Sequence, residues 1–137
     1  MPETISLAFH VPGKPAPQGS KRHVGRGILI ESSKEVGPWR ERVALAAHRA
    51  MDGRPLISDA VAVRLAFTMP RPQSAPKRIT PPASKRPDVD KLARAVLDAL
   101  TDVVLADDSL IVDLSATKRL AEIGEAPGVN VVVEVAR

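Results

Sequence analysis

The chain has no cysteine and no tyrosine, and its aromatic residues are limited to Phe9, Trp39 and Phe67. Without cysteine there can be no disulfide framework and no thiolate metal site, and the composition fits a reducing compartment. Three rings at positions that pattern as core do not supply a platform on which successive bases stack, which counts against base stacking as the main mode and favours recognition by backbone charge and shape. His10, His23 and His48 show no ligand spacing and read as surface or hydrogen-bonded residues. No apolar run approaches the ~18 residues of a membrane span. Met1-Pro2-Glu3-Thr4 lacks a signal-peptide layout, so the expectation is a soluble cytoplasmic protein with no membrane partner.

Acidic residues are scarce in one part of the chain only. Residues 1–87 carry 15 Lys/Arg against 6 Asp/Glu, a net +9, whereas residues 88–137 carry 5 against 10, a net −5. A basic chain with one concentrated acidic segment suits a metal-dependent enzyme acting on nucleic acid, because the basic part grips phosphate and the acidic part holds the metal. A solvated basic surface without a polyanion partner is the alternative. At 137 residues, 44% of them apolar, the chain is expected to form a single domain, 1–137, with a core of Val, Leu, Ile and Ala.

Alternation of Ile5, Leu7 and Phe9 predicts a strand over Thr4–His10. Residues 11–26 then read as a basic Pro-rich loop, with Gly27–Ile30 as a short strand completing a hairpin. Ser32 or Ser33 is a candidate cap. Trp39, Val43, Ala46, Ala47 and Ala50 recur at helical spacing and place a helix over about Pro38 to Met51, ended by Asp52-Gly53. Val61, Val63, Leu65 and Phe67 alternate in a strand over Ala60–Met69. Residues 70–87 hold six prolines and five Lys/Arg with no acid, and form a second basic Pro-rich loop. Such a loop would order on phosphate, or else be an inert surface.

A helix follows over Asp88–Leu100, on the stripe Val89, Leu92, Ala93, Val96 and Leu100. Strands are then expected at Leu110–Thr117 and over the alternating Val129, Val131, Val133 and Val135. The fold class is α+β, a sheet of four or five strands, largely antiparallel or mixed, with two main helices on one face.

The acids stand at the starts of elements. Asp88 and Asp90 open the helix, and Asp107 and Asp108 precede the next strand. Residues 102–107, if extended at ~3.3 Å per residue, can run back along a helix of roughly 18 Å and bring Asp107 and Asp108 beside Asp88 and Asp90. Carboxylates gathered in one volume repel unless a cation is present. Mg²⁺, with Mn²⁺ as a substitute, accepts such oxygen ligands while keeping waters for a phosphate. Arg94, one turn past Asp90, is a candidate for stabilising charge in a phosphoryl-transfer transition state. The competing reading is a solvated ion-pair ladder of Asp90, Arg94 and Asp98 at four-residue spacing. An enzyme of nucleotides or sugar phosphates is disfavoured, because no Gly-rich phosphate loop is present.

The segments Arg86-Pro87-Asp88-Val89-Asp90-Lys91-Leu92, Ala95-Val96-Leu97-Asp98-Ala99-Leu100 and Asp107-Asp108-Ser109-Leu110-Ile111-Val112, with Lys118, resemble the signature of the RusA family of Holliday junction resolvases. The resemblance implies a homodimeric Mg²⁺-dependent endonuclease that resolves four-way and other branched DNA by paired symmetric nicks, with a metal-activated water hydrolysing the phosphodiester. Such proteins are often carried by phages and prophages, and so act in the cytoplasm of a bacterial or phage-infected cell. It also implies metal binding by Asp88, Asp90 and Asp108, with Asp107 a lesser acid. Two positions depart from the family pattern: Lys91 replaces an Asn, and Arg94 replaces the catalytic Lys. Arginine keeps the charge and can contact phosphate through two hydrogen bonds, but does not readily donate a proton. Lys14, Lys21, Arg22, Lys85, Arg86, Lys91 and Lys118 are then the candidate DNA-binding residues. A branched-DNA-binding protein with weak or no catalysis is the other reading.

Overall fold

The computed structural model describes residues 6–19, 21–23, 29–31 and 34–136, and for 21–23 and 29–31 it describes the backbone alone. In chain order the elements are β1 (Ser6–Pro12), β2 (Lys21–His23), β3 (Leu29–Glu31), α1 (Val36–Met51), β4 (Val61–Met69), α2 (Val89–Leu100), β5 (Ile111–Leu120) and β6 (Gly128–Val135). A single 3₁₀ turn, Asp108–Leu110, leads into β5. Four strands make one mixed sheet in the order β1-β6-β4-β5, in which β4 and β5 are parallel and the other pairs antiparallel. Parallel neighbours need a crossover, and α2 supplies it.

Register explains the layering. Leu7, Phe9 and Val11 pair with Val133, Val131 and Val129, which in turn face Val63, Leu65 and Phe67 across the other edge of β6. With a side-chain period of two, these residues all point to one face. That face meets Trp39, Val43, Ala47 and Met51 of α1 and Leu92, Val96 and Leu100 of α2 in one continuous core. Phe67, Leu92 and Leu100 are fully buried, and burial of a side chain of this size contributes about 1.5–3 kcal/mol. The opposite face carries Arg64, His10, Asn130 and Glu134 and stays open. On it Arg64 pairs with Glu134 at 2.7 Å and His10 Nδ1 lies 2.8 Å from Asn130 Oδ1, so this histidine is a hydrogen-bonded surface residue. Gly128 lets β6 approach β1 closely, since a Cβ there would lie 2.6 Å from the Val11 carbonyl oxygen.

The α+β class, the mixed sheet and both long helices agree with the sequence reading. Three details differ. Lys21–His23, expected within a loop, pairs with Leu29–Glu31 in a separate two-stranded hairpin. Ser32 and Ser33 lie outside the described residues, and α1 begins two residues before Pro38, on a Glu35 cap whose side chain makes no capping bond. The 70–87 segment is a folded loop. Arg71 donates to Thr80 Oγ1 at 2.8 Å, to the carbonyls of Ala121 (3.2 Å) and Ile79 (2.7 Å), and to that of Pro76. Five donors in a rigid guanidinium suit it to staple several loop carbonyls at once, so Arg71 is spent on structure. Lys77, Arg78, Lys85 and Arg86 form no side-chain hydrogen bond or ion pair among the described residues.

Candidate active site along the second helix

Helix α2 buries Leu92, Ala93, Ala95, Val96, Leu97, Ala99 and Leu100, which leaves Asp90, Lys91 and Arg94 outward. Asp88 occupies the N-cap position with extended backbone, yet its carboxylate makes no capping bond. An aspartate there ordinarily accepts from the second or third helical N–H. Here the carboxylate is exposed, and among the described residues its one ion-pair partner is Lys91 Nζ at 3.9 Å. It lines an open cleft of about 620 Å³ with Lys14, Gln18, Arg86 and Lys91. The loop that forms the other wall is tied to the helix: Gln18 N donates to Lys91 O at 3.0 Å, and Arg40 of α1 reaches Gln18 Oε1 at 3.3 Å and Asp98 at 3.8 Å.

Asp90 lies two residues on, exposed in the first turn of the helix. It makes no hydrogen bond or ion pair among the described residues. Arg94 shares its face and holds Asp108 Oδ2 at 3.2 Å, with Asp98 Oδ1 at 3.9 Å. Part of the ion-pair ladder is therefore present. Asp107 has a different task. Its Oδ1 accepts from Ser109 N at 2.9 Å and caps the 3₁₀ turn, and the Ser109 N–H and hydroxyl hold its carboxyl below the ordinary value.

The return path from α2 departs from expectation. Instead of extending back along the helix, residues 101–105 curl: Val104 N and Leu105 N donate to Leu100 O, and Asp102 N to Leu105 O. The chain then binds Ile57, just before β4, through Ile57 N to Val104 O at 2.8 Å and Ala106 N to Ile57 O at 3.1 Å. Asp107 and Asp108 thus arrive at the first-residue end of β5. Asp88 sits at the other end, where Lys118 Nζ donates to the Lys85 and Pro87 carbonyls, each at 2.7 Å. From Ile111 to Lys118 the strand covers roughly 23 Å at ~3.3 Å per residue. Among the described residues, no three His, Asp or Glu side chains of one chain gather in a way that could hold a metal ion. The donor set itself fits a hard divalent cation, being carboxylate oxygen only.

Sequence reasoning missed the loop-to-helix bond of Gln18 and the bond of Lys118 to backbone carbonyls. For the second a signal existed, because Ala116, Lys118 and Leu120 pair with Leu65, Phe67 and Met69. A lysine in such a row must find acceptors near the core. Lys14 and Lys91 border the Asp88 cleft, as does Arg86. Lys85 lines the adjoining proline-walled hollow of about 580 Å³. The side chains of Lys21 and Arg22 lie outside what is described.

No helix among the described residues is long and apolar enough to cross a membrane. The chain is 30% identical over 130 residues, 85% of its length and 89% of the relative's, to the uncharacterized protein YqaN of Bacillus subtilis (strain 168). A family model described as Endodeoxyribonuclease RusA matches residues 12–134. With a match of that extent over the segment that carries Asp88, Asp90 and Asp108, this chain belongs to the RusA family of metal-dependent endodeoxyribonucleases acting on Holliday junctions.

Proposed function

We propose that this protein is a Mg²⁺-dependent nuclease that resolves four-way and other branched DNA in the cytoplasm by paired, symmetric nicks. The observation that carries the reading is the Asp88 carboxylate, which makes no capping bond and is held only by a loose 3.9 Å ion pair with Lys91 among the described residues. It stands at a helix start where an aspartate normally caps, and it borders a cleft edged by Lys14, Arg86 and Lys91. Asp88, Asp90 and Asp108 would hold the ion, with Asp107 kept back by its own turn. A bound Mg²⁺ supplies polarisation of the phosphodiester and activation of the attacking water. Lys14, Lys85, Arg86 and Lys91, with Lys21 and Arg22 on the β2 hairpin, draw the backbone in through salt-dependent contacts that read no sequence. Arg94 turns from Asp108 to the scissile phosphate and offsets its developing charge.

Because no three acids of one chain gather among the described residues, our reading completes the ion's ligand set with Asp108 of a second copy. A homodimer of two-fold symmetry would supply it, and would match the near two-fold symmetry of a four-way junction. The outer edge of β5 favours such pairing, since Val112 and Leu114 are 65% and 46% exposed beside a strand edge that pairs with no other strand among the described residues.

Incubation with synthetic four-way DNA, with and without Mg²⁺, tests the reading. Symmetric scission is expected with the ion. In Asp88→Asn and Asp90→Asn it is lost while binding persists. Binding without scission in the unaltered protein would instead favour a DNA-binding module, a reading to which the Arg94–Asp108 ion pair lends itself.

A further inference from the structure

The lysine at position 118 has a setting unlike that of the other basic residues near the cleft. On β5 it pairs in register with Phe67 of β4, between Ala116 and Leu120, so its stem runs along the helix side of the sheet. An ammonium has three donors and no acceptor, and here two of the three are engaged, by Lys85 O and Pro87 O at 2.7 Å each. These carbonyls flank Arg86, and that of Pro87 immediately precedes Asp88, the N-cap of α2. The strand carrying Lys118 is hydrogen-bonded to β4 along nearly its whole length. The start of the acid-bearing helix is thereby fastened to the sheet by one side chain, at a point well past the register shift at Val61/Ala62.

We propose that Lys118 is a positioning residue that sets the backbone delivering Asp88 and Asp90, and that it does not contact DNA. The proposal rests on the metal-site reading above. It replaces a phosphate contact, the role the family resemblance implied, by a role inside the protein. Outer partners that orient metal ligands typically change metal affinity or activity by 10–100-fold when removed. Lys118 acts one step further out, through the backbone.

The test uses the full chain with Lys118→Met, which keeps the stem and removes the charge, and Lys118→Arg, which keeps the charge. In Lys118→Met the half-saturating Mg²⁺ concentration for single-turnover cleavage of four-way DNA should rise about tenfold or more. Saturating Mg²⁺ should recover the rate, and Lys118→Arg should restore part of the affinity. Binding of the same DNA in EDTA should keep the salt dependence of the unaltered protein. A salt slope reduced by about one would make Lys118 a phosphate contact and overturn the proposal. So would an unchanged Mg²⁺ requirement, or a rate that no Mg²⁺ concentration recovers. Hydrogen exchange of the metal-free, DNA-free protein provides a readout independent of cleavage: amides 92–95, the first hydrogen-bonded ones of α2, should exchange faster in Lys118→Met while those of β6 do not. Equal exchange in both regions would overturn it. If the unaltered protein cuts nothing, the nuclease reading has failed and exchange still decides Lys118. If Lys118→Met does not fold, Lys118→Gln carries the same comparisons.

Discussion

At the start of α2, the charge of Lys118 is absorbed by two main-chain carbonyls and the Asp88 carboxylate, uncapped, meets only Lys91 at 3.9 Å among the described residues. Two turns along, the carboxylate of Asp108 is taken up by Arg94, an exposed side chain that also leans toward Asp98. The first arrangement fixes backbone. The second is a pair of mobile groups in water, worth at most about 1 kcal/mol and easily exchanged for another partner. A residue meant to deliver a ligand needs the first kind of support; a residue meant to swap an ion pair for a metal and a phosphate is better served by the second.

The sharpest way to break this contrast is to test whether the two ends act within one chain or across two. Asp88→Asn and Asp108→Asn should each lose at least the 10²–10³ in rate that one charge-stabilising group commonly supplies. Mixed together, the two inactive proteins should regain single-strand nicking, since one of the two sites in a hybrid dimer would be intact. No recovery, in a mixture shown to exchange subunits, would place all the acids of one site in one chain. Next in size is Leu92→Ala, which removes a fully buried anchor of the helix bearing both groups. Urea denaturation should show a loss of about 2–5 kcal/mol.

Arg94 gives a smaller effect. Arg94→Ala should lower cleavage by about a hundredfold, whereas Arg94→Lys should match or exceed the unaltered rate. Normal cleavage by Arg94→Ala would return Arg94 to the ion-pair ladder. The least effect is expected far from α2, in the turn after β5. There Arg119 holds Glu125 by two 2.6 Å bonds and, with the Glu122 N–H, depresses its carboxyl to about 2. A depressed acid stabilises above its unfolded pKa and loses that contribution as pH falls through its folded one. The melting temperature of the unaltered protein should therefore exceed that of Glu125→Gln slightly at pH 6, with the gap closing as pH approaches 2. A gap that widens with acid would reverse the sign.

Much of this was legible beforehand where periodicity is unbroken. Helix α2, β4 and β6 carry apolar residues at spacings that only one kind of element satisfies, and the acids at the helix start follow from the same pattern. Lys21–His23 reads as loop because a three-residue strand is too short to show alternation beside glycines, whereas the short strand expected at Gly27–Ile30 is found at Leu29–Glu31. The path of residues 101–106 was hidden for a different reason. It depends on bonds to Ile57, more than forty residues away, and nothing local in Asp102-Val103-Val104 announces that partner. Distance bounds allowed Asp108 to reach the helix start; a tight curl used up the reach.

Trp39 is the chain's one tryptophan, 3% exposed in α1 and with no partner for its indole N–H among the described residues. Its emission should therefore be blue in the native protein and shift red on denaturation. Duplex arms held by exposed lysines and arginines would leave that signal untouched, so a label-free fluorescence trace can separate variants that unfold from variants that have only lost catalysis.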